Sequence, residues 1–325
     1  MTSAAIAFVI SLLCSILIGP RAIKSLKALK LRQTISEDAP DSHKQKQGTP
    51  MMGGIIIIFG FLVGLFALHR IDSRAIAVLF LVLGSALIGF ADDYLIATRG
   101  KNLGLKARQK LAGQFIVAIL FMFWVYTARG PFTTRIFMPN GFFVDFGWGY
   151  YPLITLMIVG MSNAFNLADG LDGLASGMTA ILSLALGGLV LTARDANPAL
   201  TIMCWSLAGA CFGFLWHNCN PAKIFMGDTG SLALGSATAG IAVAGKCEFF
   251  YLILGAIFVF EALSVMIQVV SFKTRKKRVF KMTPIHHHFE LSGMPETRIV
   301  VRFWILQVAL AVFVLAMAGV FHPWN

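Results

Sequence analysis

Long apolar runs alternate with short polar ones along the whole chain. Ten runs are long enough to cross a bilayer, whose hydrocarbon core takes about 20 helical residues. They are residues 3–20, 52–68, 75–91, 110–127, 151–166, 174–192, 199–217, 230–246, 249–272 and 300–320, the fifth and eighth being richest in small or polar residues. Between the fourth and fifth, Asn140-Gly141 stands between two apolar runs at 136–144, which predicts a small exterior β-hairpin. The pattern predicts an all-α polytopic integral membrane protein of about ten transmembrane helices. No stretch is left over for a soluble domain, so residues 1–325 read as one membrane-embedded domain.

Composition agrees, with 57% hydrophobic residues, 13% charged residues and a mean hydropathy of +0.77. The charges then orient the spans. No Lys or Arg precedes the first run, while Arg21, Lys24, Lys27 and Lys30 follow it. It therefore reads as a retained span with its N-terminus outside rather than a cleaved signal peptide. On that orientation 21 of the 27 Lys and Arg fall in inside loops and six in outside loops, and the C-terminus also lies outside. The net charge of +12 is thus mostly a topology signal, with a part left to attract anionic lipid or substrate at the cytoplasmic surface. The basic residues flank spans instead of interleaving with aromatics, so no nucleic-acid partner is expected. Five cysteines lie in or beside spans without metal-ligand spacing and read as packing residues.

Four polar clusters sit at span ends, all on the inside face. Ionisable groups are costly in a bilayer and mark functional sites there. Asp92 and Asp93 close the third span. Adjacent helical residues point about 100° apart, so one is expected to face a site and the other to support it. A helix C-terminus disfavours anions, so a compensating cation or metal is expected nearby. Asn163, Asn166, Asp169 and Asp172 recur every three residues, which a helical turn would align on one side, with Gly170 and Gly173 leaving the backbone open. Asp228 opens the eighth span, where it reads either as a helix cap or as a ligand for Mg²⁺, a hard cation that takes one or two carboxylates plus phosphate and water oxygens. Phe225 offers a face for stacking a base, and His217 and Asn218 add polar atoms near the same surface. His286, His287 and His288 are too closely spaced for a zinc site and suit phosphate hydrogen bonding better. Glu261, Ser264 and Gln268 form a polar stripe in the ninth span, where Glu261 either pairs across the bundle or lines the site. Lys44 and Lys46 stand beyond the simple helix-flanking position. Gly53, Gly54, Gly60 and Gly64 predict close helix packing.

Together, Gly48 to Gly54, Asn163 to Gly173, Phe225 to Ser231 and Pro284 to Gly293 closely resemble, in order, the signatures of the phospho-N-acetylmuramoyl-pentapeptide transferases. These belong to the polyprenyl-phosphate hexosamine-1-phosphate transferase superfamily, and the resemblance covers essentially the whole chain. It implies a bacterial plasma-membrane enzyme with a cytoplasmic active site. Phospho-MurNAc-pentapeptide would pass from UDP-MurNAc-pentapeptide to undecaprenyl phosphate, giving lipid I and UMP in peptidoglycan synthesis. The cofactor implied is Mg²⁺, and the partners implied are membrane lipid and a second copy in a homodimer. Carried onto this chain, Asp228 would hold Mg²⁺, Asp92 would position or deprotonate the lipid phosphate, and Asp93 would support that site. Asn166, Asp169, Asp172, Asn218 and Phe225 would shape the nucleotide pocket, with Gln268 beside its uracil side. Lys46 and the three histidines would contact phosphate or sugar-linked groups. Two positions depart from the pattern. Ile96 stands where many relatives have lysine, so a cation must come from elsewhere, Arg99 or Lys101 being at hand, and Met51 replaces a common Thr. The alternative in the same superfamily is transfer of N-acetylhexosamine-1-phosphate from a UDP-sugar. The alternative of another class, a secondary transporter, fits poorly, because the carboxylates lie at span ends and no inverted repeat is visible.

Overall fold

The computed structural model describes residues 1–29, 48–99, 104–128, 133–193 and 196–319. Its helices in chain order are α1 (Thr2–Ala28), α2 (Gly54–Phe66), α3 (Ser73–Arg99), α4 (Ala107–Ala128), α5 (Tyr150–Ala168), α6 (Leu174–Thr192), α7 (Pro198–Asn218), α8 (Gly227–Ala244), α9 (Glu248–Leu254), α10 (Ala256–Arg275), α11 (Ile285–Glu290) and α12 (Glu296–Met317). Each of the ten expected spans coincides with helix, and among the described residues eight helices are long and apolar enough to cross a membrane. The chain is an all-α polytopic membrane protein.

The ninth span differs from expectation because it is broken between Leu254 and Ala256, giving the short α9 and the longer α10. The break frees backbone groups that lipid would leave unsatisfied. Buried Gln307 of α12 answers it by donating from Nε2 to the Leu254 carbonyl at 2.9 Å.

Helix α8 lies at the centre, buried at every residue from Thr229 to Ala244 and packed against α3, α5 and α2. Its sequence is mostly Gly, Ala, Ser and Thr, so neighbouring backbones approach closely and dispersion contacts do the holding. A Cβ on Gly89 of α3 would overlap the Asp228 backbone, and one on Gly235 would lie 2.6 Å from the Met161 carbonyl oxygen of α5. Ser85 of α3 donates to Ser236 of α8 at 2.7 Å. This close seam is what brings the C-terminal end of α3 against the N-terminus of α8. Gly60 and Gly64 of α2 pack on Ser15 and Ser11 of α1, as their spacing predicts.

The expected hairpin is present. Strands β1 (Arg135–Phe137) and β2 (Phe143–Asp145) pair antiparallel, with Arg135 opposite Asp145. Asn140 (φ 59°) and Gly141 (φ 76°) supply the left-handed turn residues. Lys246, just past α8, fastens this end of the bundle by donating to the Thr133 carbonyl (3.2 Å), Tyr150 hydroxyl (2.9 Å) and Glu248 carboxylate (2.7 Å). Helix α5, 19 residues or about 28 Å long, separates that end from Asp169 at the opposite one.

Candidate active site

Asp92 and Asp93 divide their work as helical geometry requires. Asp93, almost fully buried, turns into α8 and caps it from another helix. It accepts the Asp228 N–H at 3.0 Å, the Thr229 N–H at 2.9 Å and the Thr229 hydroxyl at 2.6 Å. These are free donors at a helix N-terminus, where the macrodipole also favours an anion. Gly227 makes room for this approach, because its φ is +72° and a Cβ there would lie 2.6 Å from Asp93 Oδ2. Asp228 is thus not the cap of α8. It sits in the first turn with its carboxylate turned outward and partly exposed, held by a cap supplied from α3.

Asp92 faces the same space as Asp228. Its Oδ1 accepts the Leu105 N–H at 2.7 Å. Lys110 of α4 pairs with Asp228 Oδ2 and lies 4.0 Å from Asp92 Oδ2. On the other side, Asn166 Nδ2 donates to Asp228 Oδ1 at 2.6 Å and to Ser231 Oγ at 2.9 Å. The compensating cation expected from the acid pair is therefore Lys110, which charge counting assigns to topology. Lys101 and the side chain of Arg99 lie outside the described residues, as does Lys46.

The row from Asn163 to Asp172 does not stay on one helical face. Asn163 and Asn166 do, but α5 ends at Ala168 and Asp169 is its C-cap, since the chain turns through Gly170 and Gly173 (φ 78°). Burial first, and the Asp228 and Asp93 carboxylates next, push the Asp169 carboxyl well above the usual carboxylate range, against the Gly227 N–H, which lowers it. Asp172 leaves the row to fasten a loop, accepting the Asn220 side chain at 3.2 Å and the Ala222 N–H at 3.0 Å. Asn218 does similar work, accepting from the Gly173 N–H and Ser176 hydroxyl at 3.1 Å each and donating to the Ile224 carbonyl at 2.9 Å. Phe225, half-buried, exchanges backbone hydrogen bonds with Pro50 (2.9 Å) and Gly53 (2.8 Å), which sets the Gly48–Gly54 stretch beside it.

The histidines separate into two groups. His286 is fully buried and its ring centroid lies 4.2 Å from that of His287, with both edges against Gly170. His287 Nδ1 also lies 3.1 Å from Glu290. His288 turns back to accept the Lys281 N–H at 3.1 Å. Gln268 braces the same loop, donating to the Phe280 carbonyl at 3.0 Å and accepting the Val279 and Phe280 N–H groups at 2.9 and 3.0 Å. The acids and the two histidines thus meet through the Asp169–Gly170 turn, while His288 and Gln268 hold the loop that presents them. Among the described residues no three His, Cys, Asp or Glu side chains close around a single metal position.

The profile of glycosyl transferase family 4 matches residues 75–246, the stretch carrying Asp92, Asp93, Lys110, Asn166, Asp169 and Asp228. Three proteins named phospho-N-acetylmuramoyl-pentapeptide-transferase align over nearly the whole chain. That of Halalkalibacterium halodurans is 44% identical, covering 94% of this chain and 95% of its own. That of Pelotomaculum thermopropionicum is 46% identical over 96% and 97%, and that of Bacillus subtilis 46% over 92% and 93%. The chain belongs to the phospho-N-acetylmuramoyl-pentapeptide-transferase family. It is accordingly a transferase and a bacterial multi-pass membrane protein.

For a transferase of this family one further feature bears on the site. An apolar groove of about 560 Å³ runs between α5 and α10 beneath the hairpin, lined by residues that include Val144, Leu153, Gly160, Ala164, Val259 and Met266. It follows α5 toward the end that carries Asn166 and Asp169.

Proposed function

We propose that this protein transfers phospho-MurNAc-pentapeptide from UDP-MurNAc-pentapeptide to undecaprenyl phosphate, releasing UMP and forming lipid I at the cytoplasmic membrane face. The observation that carries this reading is the convergence of Asp92, Lys110, Asn166 and Asp228 at one end of the bundle. A phosphate oxygen of the lipid attacks the sugar-linked phosphorus, the phosphoanhydride bond breaks, and the pair of electrons leaves with UMP. Two anionic phosphates must approach for this to happen, so charge stabilisation at the transferred phosphoryl group is the main demand.

Each residue has a part in that demand. Lys110 offers positive charge where the two phosphates meet. Asp92, anchored by the Leu105 N–H, orients the lipid phosphate and takes its proton if one is present. Asp93 fixes Asp228 by capping α8. Asn166 holds the other Asp228 oxygen, and Phe225 beside the Gly48–Gly54 stretch offers the nucleotide a stacking face. His287, partly exposed, reaches the donor phosphates from the Gly170 side, with His286 packed beneath the same turn. The hard oxygen donors of Asp228 and Asp92, already gathered around one ammonium, suit Mg²⁺ completed by water and phosphate oxygens. When bound, with Asp228 as its protein ligand, Mg²⁺ would offset the repulsion between the phosphates. The groove between α5 and α10 suits an isoprenoid tail, and the basic loops at the acid-bearing end support a cytoplasmic location.

Purified protein supplied with undecaprenyl phosphate and UDP-MurNAc-pentapeptide tests this, beside UDP-GlcNAc and with Mg²⁺ or EDTA. Mg²⁺-dependent lipid I and UMP from the muropeptide donor alone is the expected result. Turnover of UDP-GlcNAc instead would assign the sister reaction.

A further inference from the structure

The polar stripe on α10 contains one group that the reaction above does not use. Glu261 is fully buried, and its Oε2 lies 3.1 Å from Nδ1 of the equally buried His286. Among the described residues neither Glu261 oxygen accepts a well-aligned hydrogen bond, and His286 Nε2 has no partner. The pair is set firmly. One turn earlier on α10, Phe258 stacks on Phe165 of α5 with centroids 3.7 Å apart and planes within 6°. On the far side of the imidazole, a Cβ at Gly170 would overlap the ring, so Nε2 abuts the turn that follows Asp169. His286 is thus held between a buried carboxylate at one nitrogen and the active-site turn at the other.

A carboxylate buried without a partner costs several kcal/mol, and the imidazole 3.1 Å away is the group placed to offset that cost. A carboxylate behind an imidazole decides which nitrogen carries the proton and which faces forward. We propose that Glu261 is a positioning residue: its carboxylate accepts a hydrogen bond from the Nδ1–H of His286 and holds the ring with Nε2 packed beneath the Asp169–Gly170 turn that lines the site. What that turn does in catalysis rests on the transferase reading; the pairing itself does not.

Three measurements test this. Glu261→Gln keeps the volume but removes the anion, and it is expected to lower kcat about 10- to 100-fold, the range for lost support behind a functional histidine. KM for the donor should stay within about twofold, since the group does not touch substrate. Added to His286→Asn, Glu261→Gln should cost nothing more, because it acts only through that ring. Nitrogen-15 spectra of histidine-labelled protein, with His286→Asn used for assignment, should show the Nδ1-protonated ring in the unchanged protein and its loss in Glu261→Gln. Glu261→Asp, which keeps the charge, should restore part of both signals and covers the case in which Glu261→Gln does not fold. Additive losses in the double variant, or an unchanged nitrogen spectrum, would overturn the proposal. Absence of transferase turnover in the unchanged protein would instead count against the reaction, while the spectra still decide the pair.

Discussion

Replacing Asp93 by Asn tests how the site is built. The carboxylate takes two donors of Thr229 and the N–H of Asp228. An amide has one oxygen, so if that oxygen keeps Thr229, its NH₂ group faces the Asp228 N–H donor to donor. One buried donor is then orphaned, at about 1–3 kcal/mol. The two retained bonds fall from charge-assisted to neutral strength, losing about 1 kcal/mol each. The total is about 3–5 kcal/mol, and the start of α8 relieves it by moving, which displaces Asp228. If about 2–3 kcal/mol of it appears at the transition state, kcat falls about 30- to 150-fold. The assay is lipid I formation under saturating donor, paired with the apparent unfolding midpoint in detergent, which should drop by several degrees. KM for the UDP donor should hardly move, because Asp93 points into α8. Asp93→Asn with unchanged kcat would refute the capping argument. A variant that lost donor affinity while keeping kcat would place Asp93 against the substrate instead.

Other perturbations separate the parts of the site. Lys110→Met leaves Asp92 and Asp228 facing each other without their ammonium, and turnover should fall about 10²- to 10³-fold, the usual loss of one charge-stabilising donor; a radiochemical transfer assay near normal rate would exclude it from the site. Gly227→Ala combines a strained positive φ with a Cβ 2.6 Å from Asp93, so both thermal stability and turnover should drop, which melting and transfer assays read together. Lys246→Met leaves the buried Glu248 carboxylate with the Tyr150 hydroxyl but no compensating charge and should cost about 3–5 kcal/mol, whereas Lys246→Met with Glu248→Gln should recover part of it in a denaturation series. EDTA should abolish lipid I formation and added Mg²⁺ restore it, while Asp228→Asn should remain inactive at any Mg²⁺ concentration tried.

Much of this was legible from spacing alone. Apolar runs located ten helical regions because lipid fixes the length of a span, and Asn140-Gly141 located the hairpin because few residue pairs accept its turn. The acid clusters were legible because carboxylates at span ends are rare. Less legible was anything that joins residues far apart in sequence. Asp93 caps a helix that begins 134 residues later, and no local pattern announces a cap supplied by another helix. Lys110 carries the signature of a helix-flanking lysine, and only the packing of α4 on α3 makes it the cation between two carboxylates. The three-residue rhythm from Asn166 to Asp172 suggested one face, yet the glycines within it were the better signal, since they end the helix and send Asp172 to a loop. Glu261 stood between two readings until α11 placed His286 beside it.

The two halves of the site rest on different supports. Asp92, Asp93 and Asp228 are carried by helices bolted into the protein interior. The histidines hang from a loop braced by Gln268 on α10, a helix with only 17% of its apolar window buried, against 78% for α6. Most of α10 therefore faces outward from the bundle. A span with few protein neighbours takes more of its tilt from the thickness of the surrounding bilayer than one wedged inside a bundle. Turnover is accordingly expected to track acyl-chain length at fixed concentrations of both substrates, and equal rates in short- and long-chain vesicles would refute this.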